Sequence, residues 1–232
     1  MAGYAVRRVA RFLFTAIIAR IMGDCFDPKC RRCPRLAAFL DAVKLRHGGY
    51  HCLPIAPFGD ARAKLLIVGL APGMHGANRS GRPFTGDHAG IILYATLHRF
   101  GLSSAAQSTG LEDGLTLRGV RITNAVKCLP PANKPTPREI RNCNVYLRDE
   151  LAAGQVRAVL ALGTIAHCAV LHALGMRKAA HRFAHGAEHS LDAGRTLIDS
   201  YHCSRYNTQT RRLTAPMFEA VVERAAGLAG IG

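Results

Sequence analysis

The residue types that can do chemistry fall in three separated stretches. The first, GLAPGMHGANRSGRPFTGD at residues 69–87, carries five glycines and ends on the carboxylate of Asp87. The second, TNAVKC, holds Asn124, and the third, SYHCSRYN, holds His202. Glycines at residues 69–73 remove side chains, so backbone amides there can approach a nucleobase edge or a phosphate. A plain strand-to-helix turn would use the same glycines, so the loop alone is a weak signal.

The cysteines suggest a metal site. Cys30 and Cys33 form a C-x2-C pair, and Cys128 and Cys143 follow much later in the chain. Two vicinal and two distant thiolates suit either a four-thiolate zinc site or a four-cysteine iron–sulfur cluster. From the residues alone zinc is slightly favoured, because it is commoner. Cys143 could instead be an inert thiol on an apolar helix face, and Cys25 could compete as a ligand.

Charge points to a polyanionic partner. The chain has 31 Lys+Arg against 15 Asp+Glu, a net charge of +16. Nucleic acid is the leading candidate and an acidic membrane surface is second. At the N-terminus, arginines precede an apolar run that Arg20 interrupts, which leaves the run too short to span a bilayer. We interpret residues 1–24 as an extension or amphipathic helix and residues 25–232 as the main domain, with no membrane partner.

Four apolar runs predict buried strands of a parallel sheet, because they are short, continuous and rich in Val, Ile and Leu. Helical segments separate these runs, and one of them begins with a capping box in TPRE, residues 136–139. The alternation predicts an α/β protein, a three-layer α/β/α sandwich with a central four-stranded parallel sheet. Ligands of such sheets lie beyond the carboxyl ends of the strands, where the three stretches would meet. The predicted strands are Leu65–Leu70, Val120–Val126, Val156–Leu162 and Thr196–Ser200.

Taken together, the motifs resemble the uracil-DNA glycosylase superfamily, and most closely its family 5. The resemblance rests on residues 69–87, on ITNAVKCLPPANKPTPREIRNC at 122–143 and on SYHCSRYNTQTRRLT at 200–214, with CRRCPRL at 30–36 also matching. It runs from about Cys30 to the last helix. The family implies a structural 4Fe–4S cluster, which by position falls on Cys30, Cys33, Cys128 and Cys143 and reverses the preference for zinc.

The implied substrate is uracil, or another deaminated base, flipped out of double-stranded DNA and cleaved to leave an abasic site. Phe84 would stack on the base, although a buried core Phe is the competing interpretation. Asn124 would offer a donor and an acceptor to the base edge, unless it only caps a loop. The implied base-binding residues are Gly69, Ala71, Gly73, Phe84 and Asn124.

Two residues are implied in catalysis. His202 would donate to the developing anion on the base, an oxyanion-type role, and is otherwise one of 11 ordinary histidines. Leu70 occupies the position where many relatives place a carboxylate or amide. Asp87 would therefore orient the water or stabilise the oxocarbenium, and it also suits the N-cap of the following helix.

The segment from Ser204 to Thr208 is expected to enter the DNA minor groove, with Arg205 and Tyr206 large enough to fill the space of the flipped base. We expect a monomer acting on nucleoid DNA in the cytoplasm. The rival hypotheses are a non-catalytic iron–sulfur nucleic-acid-binding protein and, less favoured, a nucleotide-binding enzyme. Candidate DNA contacts are Arg79, Ser204, Arg205, Tyr206 and Asn207, with Arg82, Lys127, Lys134, Arg211 and Arg212 as further phosphate contacts.

Overall fold

The computed structural model describes residues 26–152 and 155–231, and the helix or extension expected at residues 1–24 lies outside them. The described strands are β1 (Phe58–Gly59), β2 (Leu65–Gly69), β3 (Val120–Asn124), β4 (Ala158–Leu162), β5 (Glu188–Ser190) and β6 (Thr196–Ser200). These six strands form one sheet, in the order β1-β3-β2-β4-β6-β5.

The sheet corrects the prediction of four strands. The four central strands, β3, β2, β4 and β6, are the predicted ones and pair in parallel. Two short strands extend the sheet at its edges, where β1 pairs antiparallel with β3 and β5 pairs antiparallel with β6. These edge strands span two and three residues and are not fully buried, so they carry no continuous apolar run in the sequence.

Helices cover both faces of the sheet, which confirms the three-layer α/β/α architecture. The described helices are α1 (Pro34–Arg46), α2 (Ala77–Ser80), α3 (His88–Arg99), α4 (Pro137–Ala152), α5 (Thr164–Ala173), α6 (Arg205–Gln209) and α7 (Ala215–Ala229). Alternation along β2 sends Leu65 and Ile67 to the face covered by α3 and α7, and Leu66 and Val68 to the face covered by α4 and α5.

Local sequence signals set the helix starts. Thr136 and Glu139 form the predicted capping box: the Thr136 amide donates to Glu139 Oε2 at 2.7 Å, and the Glu139 amide donates to Thr136 Oγ1 at 3.3 Å. Arg35 of α1 also donates to both oxygens of the Glu139 carboxylate, which ties α1 to the start of α4. In the described residues, no helix is both long and apolar enough to cross a membrane.

Candidate active site at the carboxyl edge of the sheet

The three stretches that hold the candidate site residues, 69–87, 123–128 and 200–207, meet beyond the carboxyl ends of the parallel strands. Gly69 ends β2 and lies in register with Asn124 at the end of β3. The chain beyond both strands stays paired, since the Ala125 amide donates to the Gly69 carbonyl at 2.9 Å. His202 follows the end of β6 by two residues. The carboxyl ends of adjacent parallel strands therefore assemble the site, as the fold class predicts.

Gly69 is required because side chains crowd its Cα. A Cβ there would lie 2.5 Å from the Phe84 ring and would overlap Asn124 Oδ1. Phe84 and Asn124 are both buried. This glycine thus lets an aromatic ring and a primary amide lie side by side at the floor of the site.

Phe84 holds a backbone conformation that side chains rarely adopt. Its φ is +55°, in the left-handed region, which costs on the order of 1–3 kcal/mol for a residue with a side chain. A Cβ at Gly90, in the first turn of α3, would overlap the Phe84 carbonyl. The Phe84 ring faces the His202 ring, with centroids 6.2 Å apart and planes 28° apart. The surrounding chain therefore imposes the ring position that brings Phe84 to His202.

Asp87 caps α3 and also faces the glycine loop. One carboxylate oxygen accepts a hydrogen bond from the Gly90 amide at 2.9 Å, which confirms the predicted N-cap. The other oxygen lies against the loop, where a Cβ at Gly76 would come within 2.6 Å of it and one at Gly73 within 3.8 Å. Burial raises the pKa of the Asp87 carboxyl, although the hydrogen bond from Gly90 opposes this effect. The cap occupies only one of the two oxygens, so it does not exclude a second role.

His202 is held in its neutral form. Burial lowers the pKa of His202 to about 4, so the imidazole is uncharged near neutral pH and carries one N–H. Gly163, which follows β4, adopts a φ of +95°, and a Cβ there would lie 3.3 Å from His202 Cβ. Asn207 donates from Nδ2 to the His202 carbonyl at 2.8 Å. The site therefore presents a neutral hydrogen-bond donor opposite Phe84.

The segment after His202 forms the short helix α6. Ser204 caps it by accepting from the Asn207 amide, and 71% of Tyr206 is exposed, with Arg205 also on the surface. Asn207, predicted to contact DNA, is half-buried and donates from Nδ2 to the His202 carbonyl, a contact that no sequence signal indicates. His88 Nε2 and Thr208 Oγ1 are 2.8 Å apart, which connects α6 to the first residue of α3.

Two of the further phosphate candidates are wrong. Arg82 is buried and donates from Nη1 to both oxygens of Asp113, at 2.7 and 2.8 Å. Lys127 is 1% exposed, and its ammonium lies 2.6 Å from Glu150 Oε1. Buried, paired cations are not available to a DNA backbone. The remaining candidates Arg79, Lys134, Arg211 and Arg212 are exposed.

The four predicted ligand cysteines lie around one cavity between α1 and α4. Cys30, Cys33, Cys128 and Cys143 all line it. Burial and the three neighbouring thiols raise the pKa of Cys128, and burial also raises that of Cys143 to about 11. Two of the four sulfurs accept hydrogen bonds from nitrogen donors. The Lys127 amide donates to Cys143 Sγ at 3.2 Å, and Asn142 Nδ2 donates to Cys33 Sγ at 3.7 Å.

Known proteins match most of the chain. A family model described as the uracil DNA glycosylase superfamily matches residues 56–226. A type-5 uracil-DNA glycosylase of Thermus thermophilus is 50% identical over 208 residues, which cover 87% of this chain and 94% of that protein. A type-5 uracil-DNA glycosylase of Pyrobaculum aerophilum is 46% identical over 205 residues, covering 87% and 89%. A type-4 uracil-DNA glycosylase of Pyrobaculum aerophilum is 36% identical over 121 residues, covering 51% and 54%.

Proposed function

The chain belongs to the uracil-DNA glycosylase superfamily, and from this premise we propose that it is a DNA-repair glycosylase. It hydrolyses the N-glycosidic bond of uracil flipped out of DNA and leaves an abasic site. The observation that carries this proposal is the convergence of four side chains at the carboxyl edge of the sheet. Phe84 and Asn124 flank Gly69, His202 faces Phe84, and Asp87 lies against Gly73 and Gly76 of the same loop. A non-catalytic binding protein would not need a carboxylate, an amide and a neutral imidazole at one site.

Cleavage of the glycosidic bond builds negative charge on the leaving base and positive charge on the deoxyribose. His202 addresses the base. Because its pKa is lowered to about 4, it acts as a neutral N–H donor to the carbonyl oxygen on which the charge develops. A fixed donor in a buried site needs no reorientation during the reaction, and such donors contribute about 10²- to 10³-fold to the rate.

Asp87 is placed to interact with the sugar and with the attacking water. Its second oxygen faces the loop of Gly73 and Gly76, where the glycines place no side chain against the carboxylate. There it can accept a hydrogen bond from the attacking water or stabilise the oxocarbenium, while the first oxygen keeps its bond to Gly90. Partial desolvation strengthens either interaction, because the local dielectric is low.

Recognition of the base falls to Phe84 and Asn124. The ring supplies a stacking face, and the amide supplies one donor and one acceptor group to the base edge. This set contains few polar groups, and Leu70 adds none, which favours activity on several deaminated bases besides uracil. The exposed Tyr206 and Arg205 would fill the gap left in the duplex. We propose that the protein acts as a monomer on nucleoid DNA in the cytoplasm.

We propose in addition that Cys30, Cys33, Cys128 and Cys143 bind a structural 4Fe–4S cluster. The four cysteines line one cavity between α1 and α4, as a single four-thiolate group would require. A buried Tyr146 hydroxyl without a hydrogen-bond partner among these residues also borders the cavity.

The cluster would supply folding energy and no catalytic chemistry. Its four ligands would join the segment before α1 to α4 and to the loop before α4, which is the part of the chain that follows Asn124. Anaerobically purified protein should contain about four iron atoms per chain and absorb at roughly 400 nm. Stoichiometric zinc in place of iron would refute the cluster.

The activity is tested with a duplex that carries one uracil in a labelled strand. Incubation followed by alkali should break that strand at the uracil, and a matched duplex with thymine should remain intact. Single-lesion duplexes with hypoxanthine and xanthine measure the breadth of the pocket. Binding to the uracil duplex without strand breakage, by cluster-loaded protein, would support the non-catalytic alternative instead.

A further inference from the structure

Two histidines and an aspartate form a compact buried group apart from the residues that face the base. His167 of α5 places Nδ1 2.8 Å from Asp199 Oδ1, and His189 of β5 places Nε2 3.1 Å from Asp199 Oδ2. The three ligand atoms lie within 4.8 Å of one another. Asp199 is fully buried in β6, His167 is nearly so, and the His189 side chain is 11% exposed. Imidazole nitrogens with a carboxylate are residue types that bind zinc.

Both ring nitrogens of His167 face hydrogen-bond acceptors. Nε2 lies 3.0 Å from the His181 carbonyl, which only accepts, so Nε2 is the nitrogen that donates there. Nδ1 lies 2.8 Å from Asp199 Oδ1, close enough for a proton to join the two atoms. Tetrahedral zinc bound to both atoms would hold them about 3.3 Å apart, so its binding requires them to separate by about 0.5 Å.

We propose that His167, His189 and Asp199 bind one Zn²⁺ ion. Histidines that bind metals usually donate their other ring N–H to a backbone carbonyl or a carboxylate, and His167 donates to His181 in this way. Zinc binds such nitrogen ligands more tightly than ferrous iron does. Three protein ligands leave a fourth position for water, which can approach from the side of His189, the most exposed of the three.

The ion would join three elements around β6, the strand that ends just before His202. It would hold α5 to β6 and the edge strand β5, and Asp199 lies three residues before His202. The same region is already linked by the Gly163 amide, which donates to the Ser200 carbonyl at 2.8 Å. The role is structural, because none of the three ligands faces the base pocket formed by Phe84 and Asn124.

The test uses the full-length protein with its cysteine site occupied. The protein is treated with EDTA, incubated with zinc chloride and desalted, and zinc and iron are then measured by mass spectrometry. We expect about one zinc per chain in addition to the iron. Cobalt in place of zinc should give visible d–d bands without the near-ultraviolet thiolate charge-transfer band, since the ligands are nitrogen and oxygen.

Variants separate metal binding from hydrogen bonding. His189→Gln keeps an N–H that can reach Asp199 but removes the ring nitrogen, and should weaken zinc binding about a hundredfold or more. His172→Ala, at an exposed position on α5, the helix that holds His167, is the control and should bind zinc like wild type. Zinc should raise the Tm of wild type and His172→Ala but not of His189→Gln.

Absence of zinc from the wild type, equal zinc in His189→Gln, or a cobalt spectrum with thiolate bands would each overturn the proposal and leave a proton-bridged group. The wild-type measurements decide the matter even if His189→Gln fails to fold. All readouts are independent of base excision, so their failure would not bear on the glycosylase proposal.

Discussion

Replacing Asp87 tests whether its carboxylate does chemistry or only caps α3. Asp87→Asn and Asp87→Ser keep an N-cap of comparable quality, whereas Asp87→Ala removes it. If the second carboxylate oxygen acts on water or on the sugar, all three variants should slow single-turnover cleavage of uracil DNA by at least about a hundredfold. The cap alone would make Asp87→Ala lose about 1 kcal/mol of stability, with no loss of rate in the other two.

The thermal stability of Asp87→Asn should not fall, in contrast to its cleavage rate. Burial raises the pKa of Asp87 in the folded protein, so ionisation is less favourable there than in the unfolded chain. At neutral pH, above the unfolded value, the charged carboxylate therefore destabilises the fold, and a neutral amide removes that cost. We expect the Tm of Asp87→Asn to equal or exceed that of wild type, while Asp87→Ala, which also lacks the cap, should melt about 2–4 °C below Asp87→Asn.

The assay is cleavage at saturating enzyme, read on denaturing gels after alkali. Thermal melting and absorbance at roughly 400 nm control for folding and cluster content. DNA affinity should stay the same or rise, since a negative charge is removed. Folded Asp87→Ser or Asp87→Asn with a rate within a few-fold of wild type would refute the catalytic assignment and leave the cap.

Three further predictions follow from the site. His202→Ala should slow cleavage by about 10²- to 10³-fold. Because the pKa of His202 is about 4, protonation of this residue should not lower the wild-type rate between pH 8 and 5. A loss of rate centred near pH 6.5 that is absent in His202→Ala would contradict the role of His202 as a neutral donor. Gly69→Ala should lose activity and stability because its Cβ meets Phe84 and Asn124, whereas Gly49→Ala, with nothing within 4 Å, should behave like wild type in both assays. DNA affinity should fall steeply with salt, and Arg211→Ala should reduce the slope of log K against log salt by about 0.9; an unchanged slope would remove Arg211 from the phosphate contacts.

The sequence predicts the strands and helix caps that depend on residues close together in the chain. Buried parallel strands are continuous apolar runs, so all four central strands were predictable, and so were the caps at Asp87 and Thr136. β2 and β3 end slightly earlier than their apolar runs, because Leu70 and Val126 lie just past the sheet in loops that still pair with each other, and β4 begins at Ala158 rather than Val156. The two edge strands had no comparable signal.

Contacts between distant residues were the parts that could not be predicted. Arg82 has the residue type of a phosphate contact, but its partner Asp113 lies 31 positions away, and only the folded chain shows that the pair is buried. The same holds for Lys127 with Glu150, 23 positions apart. His167, His189 and Asp199 come from three elements with no shared motif, so no spacing in the sequence indicates that they meet.

The glycines around Phe84 also limit how the specificity of this enzyme can evolve. Any substitution at Gly69 or Gly90 adds atoms where the Phe84 ring and carbonyl already lie, so random mutation at these two positions can only shrink or break the pocket. Phe84 itself is at a positive φ, which penalises β-branched replacements in particular. Substitutions that give activity on a new lesion base are therefore expected at Asn124 and in the loop around Leu70 and Ala71. A directed-evolution library should place its diversity there and leave Gly69 and Gly90 fixed.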